Sequence, residues 1–127
     1  MSNDYPDYLN PASRNAEGGS MLSYSFSFSV PGETGVYYDF PVVAAGTENI
    51  YQCLTISCPD DSAIHSAELV RVSDLWLFFV VSFVTGGIFD FPGQAISAGA
   101  TVRIYVYNNS AGALTFSGAL NYVTRAV

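Results

Sequence analysis

Between residues 22 and 30 every even position is apolar and every odd position is serine: Leu22, Tyr24, Phe26, Phe28 and Val30 alternate with Ser23, Ser25, Ser27 and Ser29. Side chains point to opposite sides of a strand at successive residues, so this stretch can bury one face and wet the other only as β-structure. The same period returns at 101–107. There Val102, Ile104 and Val106 point one way, and Thr101, Arg103, Tyr105 and Tyr107 point the other. Between such runs stand turn-forming clusters: Pro31-Gly32, Pro59-Asp60-Asp61, Gly86-Gly87, Pro92-Gly93 and Asn108-Asn109-Ser110. About eight strands at intervals of roughly ten residues follow, with no long helical period. The fold class this predicts is all-β: a single β-sandwich of jelly-roll or Greek-key type over residues 21–127, preceded by an extended arm at residues 1–20.

Several elements can be read individually. Residues 36–43 predict a strand that Pro41 demotes to an edge or a bulge. Residues 49–57 alternate, which puts Ile50, Leu54 and Ile56 on one face and Tyr51, Cys53 and Thr55 on the other. Residues 63–72 fit a short helix poorly and a strand moderately. The most apolar run, residues 75–84, is apolar at both parities and predicts a central strand, or one under a partner. Residues 88–91 and 94–97 predict two short strands. Residues 101–107 and 113–123 predict a hairpin around the loop at 108–112, with Gly118 marking a bulge or kink.

Charge excludes more than it assigns. The chain has 127 residues, 11 Asp and Glu, four Arg and no Lys, for a net charge of −7. Each phosphate contact wants a cation, so four cations argue against a nucleic-acid partner, and against a polybasic membrane-surface protein. Sites that need a lysine or several histidines are excluded, because His65 is the only imidazole. Only 12% of residues are charged against about 25% in an ordinary soluble domain, so the surface is either neutral-polar or partly covered by partners. The run at 75–84 is too short to span a bilayer as a helix. The first residues carry neither a basic nor an apolar segment of the kind that directs secretion. Cys53 and Cys58 are too few for a disulfide framework, and their odd spacing on a strand predicts two thiols on opposite faces; a local disulfide would need the strand to end before Cys58.

Candidate chemistry is sparse. A hydrolytic triad would have to use His65, yet no nucleophile elbow surrounds it, and a surface or strand-end histidine is the simpler reading. Asp60-Asp61 lacks the spaced oxygen ligands of a calcium loop. Asp39 and Asp90 sit between aromatics and could form a glycosidase-like pair, or serve as polar members of alternating strands. The expectation is therefore a protein that is not an enzyme, with no catalytic, metal or cofactor residues. Two binding candidates remain. Tyr5, Tyr8 and Leu9 punctuate the arm as anchors for a partner groove. Arg103, Tyr105 and Tyr107 share one strand face, as a protein contact ahead of a sugar contact.

A polar arm, one compact sandwich and the closing stretch Ala100-Thr101-Val102-Arg103-Ile104-Tyr105-Val106-Tyr107-Asn108-Asn109-Ser110-Ala111-Gly112-Ala113-Leu114-Thr115-Phe116-Ser117-Gly118 resemble the small head decoration (cement) proteins of tailed bacteriophages. The resemblance implies a virion protein on the outer capsid surface, made in the host cytoplasm. It would clamp neighbouring subunits of the major capsid protein as a homo-oligomer, with a trimer favoured. The alternative it leaves open is a receptor- or carbohydrate-binding sandwich of a phage fibre, spike or baseplate, with exposed aromatics on loop tips around a shallow pocket.

Overall fold

The alternating stretches are strands, and they build two antiparallel sheets of four strands each. A computed structural model describes residues 21–59 and 62–127; the arm and its anchors Tyr5, Tyr8 and Leu9 lie outside the described residues. In chain order the strands are β1 (Met21–Val30), β2 (Thr34–Asp39), β3 (Thr47–Ser57), β4 (His65–Arg71), β5 (Trp76–Phe83), β6 (Gly86–Ser97), β7 (Val102–Asn108) and β8 (Leu114–Ala126). The first sheet runs β1-β8-β3-β6 and the second β2-β7-β4-β5. Eight strands that cross between two sheets in this order make a jelly roll.

The core lies where the inward positions meet. Phe26, Val30, Leu54, Ile56, Phe116 and Leu120 come from the first sheet; Ala67, Leu69, Val102, Ile104 and Val106 face them from the second. The serines of β1 point outward as their parity requires. Ser23 Oγ donates to Asn121 Oδ1 at 2.5 Å, and the Ser27 and Ser117 hydroxyls lie 2.9 Å apart.

Five expectations need correction. The run at 75–84 is not central: among the described residues β5 is an edge strand beside β4 alone, and Trp76, Leu77 and Val80 are exposed. The segments expected as two short strands are one strand, β6, which passes through Pro92 because an edge strand can spare that N–H. The faces of β3 exchange at Gln52, where the register slips against both β6 and β8. That bulge buries Tyr51 together with Leu54 and Ile56 and leaves Ile50 on the outer side. The closing hairpin does not exist: β7 pairs with β2 and β4, whereas β8 pairs with β1 and β3, so loop 109–113 crosses from sheet to sheet. The buried Asn108 organises this crossing. Its amide donates to Val30 O and Gly112 O, each at 2.9 Å, and its Oδ1 accepts from the Ser110 N–H. Gly118 marks no bulge either, since the register of β8 is continuous there. A Cβ at that position would lie 1.9 Å from Thr55 O, so glycine is what lets β8 and β3 approach.

Smaller differences follow the same logic. The strand expected at 36–43 ends at Asp39, and Phe40 and Val43 are buried beyond it. The ambiguous stretch at 63–72 is β4.

Candidate functional site

The outward residues of the second sheet form a grid that the registers define strand by strand. One row reads Tyr37, Tyr105, Glu68, Val80 across β2, β7, β4 and β5. The next reads Asp39, Arg103, Val70, Leu77, and the third Gly35, Tyr107, Ser66, Ser82. The Arg103, Tyr105, Tyr107 face read from the sequence is thus the spine of a larger surface. Tyr37, Leu77 and Val80 were missed, and Asp39 was read as the polar member of its strand without its Arg103 partner, because these strands become neighbours only through the topology. The alternation within residues 34–39 was the one available signal for Tyr37 and Asp39.

Arg103 is fixed from two sides. Its Nε and Nη2 donate to the two Asp39 carboxylate oxygens at 2.6 and 3.1 Å, and its guanidinium carbon lies 3.7 Å from the Tyr37 ring centroid. The Asp39 hydrogen bond, aided by its charge, holds the guanidinium above its already high pKa. The pair cancels its own charge, so its main effect on this surface is to set the Tyr37 ring. Tyr105 leans over Gly35, where a Cβ would fall 2.0 Å from its hydroxyl. Tyr37 is 53% exposed, Val80 56%, Leu77 45% and Tyr105 39%. Glu68 is the one carboxylate of these rows with no arginine opposite it.

The opposite face differs in chemistry. Ser23, Ser25, Ser27 and Ser29 stand beside Asn121, Ala119, Ser117 and Thr115. The β1–β8 half of this face is thus mostly hydroxyl and amide, with Met21 at its end, and Ile88 is exposed on β6, whereas the opposite face is aromatic and aliphatic along β2, β7 and β5, of the kind that marks an interaction surface.

Asp39 and Asp90 stand on these two opposite outer faces, so the fold does not bring the carboxylates together. His65 is not on the surface: it is fully buried, with its Nδ1 accepting from the Asn109 N–H at 3.1 Å and its ring against Phe83 and Phe116. Cys53 and Cys58 are thiols with no disulfide between them. Cys58 is buried and its Sγ donates to Val84 O at 3.3 Å.

At the β3 bulge a groove of about 550 Å³ opens on the first sheet, lined by Gln52, Cys53, Asp90 and Asn121 with Phe91 and Pro92 as walls. Burial and the adjacent Asp90 push the Cys53 thiol up, which keeps it protonated and a poor nucleophile at neutral pH. Among the described residues no group of three or more His, Cys, Asp or Glu could hold a metal ion, and no helix is long and apolar enough to cross a membrane. No protein-family model matches this chain, and no curated protein proved similar to it.

Proposed function

We propose that this jelly roll is a structural virion protein. In this reading it decorates and cements an assembled shell of major capsid protein on its outer surface and carries out no catalysis. The observation that carries the reading is a difference between the two outer faces: Tyr37, Tyr105, Leu77 and Val80 stand exposed on one, while the β1–β8 half of the other is mostly serine, threonine and asparagine, with Met21 at its end and Ile88 exposed only on the far strand β6. Aromatic side chains with arginine among them are the residues that anchor protein interfaces. The net charge of −7 supports a basic protein surface as partner and repels packaged nucleic acid. Residues 1–20, with Tyr5, Tyr8 and Leu9, extend the contact as a clamp onto a neighbouring subunit. A protein that binds only the assembled lattice stabilises that lattice by mass action, which needs no chemistry at the contact.

The test is co-sedimentation with shells assembled from the major capsid protein of the same genome. The chain should pellet with shells and leave unassembled subunits in solution. Equal binding to both, or to neither, contradicts the proposal.

The groove beside Gln52 favours a second reading, a glycan-binding sandwich. Amide and carboxylate groups above an aromatic wall are the groups that bind sugar hydroxyls. The exposed aromatics stand on strands rather than on loop tips around that groove, which favours protein contact. Chemical-shift changes at Asp90 and Asn121 on adding neutral oligosaccharides, absent in Asp90→Asn, would favour the glycan reading.

A further inference from the structure

Among the described residues, β5 is the most apolar of the four sheet edges. The β6 edge carries Asp90 and Pro92; β2 is short, and closes with Asp39 before Pro41. The β1 edge has no charge, but its outward side chains are serines. Like β1, which alternates with serine, β5 contains no charged residue, glycine or proline, but it is apolar on both faces except at Ser82. Its only irregularity is the slip against β4 near Phe78. Natural sheets guard such edges, because a row of open N–H and C=O groups is a template for another strand. Beside that row Trp76, Leu77 and Val80 stand exposed. The strand is entered through Leu75, which is 68% exposed and held at φ 54°, a conformation that costs a branched side chain energy. Strain that projects an apolar residue into water is explained if something covers it.

We infer that β5 pairs antiparallel with β5 of a second copy of this chain across a two-fold axis, which joins the two β2-β7-β4-β5 sheets into one sheet of eight strands. Three observations select a second copy as the occupant. First, an antiparallel strand that meets itself must be compatible with itself, and no charge lies between Leu75 and Thr85. For a molecule of net charge −7 this edge brings two copies together without like charges opposed, whereas the β6 edge would bring Asp90 toward its own copy. The nearest charges, Arg71 and Asp74, are closed on each other through two hydrogen bonds of 2.9 and 2.6 Å.

Second, the side-chain alternation survives the symmetry. Setting Val81 against its own copy places Phe79 across from Phe83 and Val80 across from Ser82. The inward Phe79, Val81 and Phe83 of each copy then continue the other's core, and the outward residues stay together. Third, this edge has apolar area to bury. Leu75, Trp76, Leu77, Val80 and Val84 leave on the order of 400 Å² exposed, about half of the ~800 Å² per partner that a stable interface takes; this register covers Val80 and Val84 within the paired stretch and sets Leu75, Trp76 and Leu77 against the other copy's residues 85–87. This two-fold pairing departs from the trimer that the family resemblance implies, and it does not depend on capsid binding.

Sedimentation velocity on the full chain across a wide concentration range tests it. The expected mass is twice the 13.6 kDa of the chain. Val80→Lys, at an exposed position, should sediment as a single chain with an unchanged circular-dichroism spectrum, while Ser25→Lys on the opposite face should remain a dimer. Hydrogen exchange on the unaltered chain gives a second measurement that no variant can confound: the β5 amides should gain protection as concentration rises. A single-chain mass at every concentration overturns the inference. A three-chain mass, a Val80→Lys dimer, or concentration-independent exchange at β5 overturns it as well.

Discussion

At the residue scale, the phenols and glycines carry the sharpest consequences. Tyr51 is fully buried, and its hydroxyl accepts a 3.1 Å hydrogen bond from Asn49 Nδ2. Burial pushes its pKa from 10.0 to about 12; the Asn49 bond opposes the shift and nearby Tyr24 adds to it. The folded state thus holds this proton more tightly than the unfolded chain does. The stabilisation is complete below pH 10 and is lost as pH climbs from there through about 12, by about 3 kcal/mol. Urea denaturation at pH 8, 10 and 12 should show that fall. Tyr51→Phe should remove part of it, because burial and Tyr24 raise the Tyr122 phenol too. Gly118→Ala should cost about 3 kcal/mol, since its Cβ would meet the Thr55 backbone, which cannot move aside as a side chain can. Gly35→Ala should leave stability less changed, because the group it meets is the movable Tyr105 ring, but it should displace that ring from the contact face. Of the two glycines the sequence marked Gly118 as a bulge or kink, and misread it, because a close approach between strands is a property of the pairing and not of the local pattern.

At the element scale, strands with one wet and one dry face were legible and strands at irregularities were not. β1 and β7 follow strict parity because nothing interrupts their ladders, and Phe26, Val30, Val102, Ile104 and Val106 are all buried as that parity requires. β3 broke the rule at Gln52, where one extra residue reverses every later side chain, and no composition signal marks it. β5 was misplaced for a different reason. Apolarity at both parities describes a strand covered on both sides, and sequence cannot tell cover by the same chain from cover by another. The difference is measurable. Phe78, half-buried at the irregular point of an edge strand, should cost about 1–2 kcal/mol on truncation to alanine, whereas the fully buried Phe116 should cost about 3–5. Equal costs in chemical denaturation would return β5 to the core. Leu75→Gly should relieve positive-φ strain and raise monomer stability by about 1 kcal/mol, while weakening whatever covers that end of β5.

At the scale of the whole molecule, the jelly roll turns one set of alternating strands into a body with two unlike faces. The class of fold was readable from strand number and spacing, since eight short amphipathic strands have few other ways to bury their apolar sides. The outer face of the β2-β7-β4-β5 sheet was readable only as its β7 spine. Its breadth comes from β2, β4 and β5, which the sheet order brings beside β7 from distant parts of the chain. Deleting residues 2–18 should leave the melting temperature of the body nearly unchanged and weaken its binding to shells; a loss of folding would make the arm part of the sandwich.

The central claim is that the Tyr37–Tyr105 face, and not the serine face, contacts the capsid. Its most direct test is the affinity for assembled shells of the double variant Tyr37→Ala, Tyr105→Ala, set against Ser25→Ala, Ser27→Ala on the opposite sheet. Loss of two interface aromatics at about 2 kcal/mol each should weaken binding by several hundred-fold or more, and loss of the serines should change it less than about threefold. Equal affinities for both variants, or a larger loss from the serine pair, would contradict the claim.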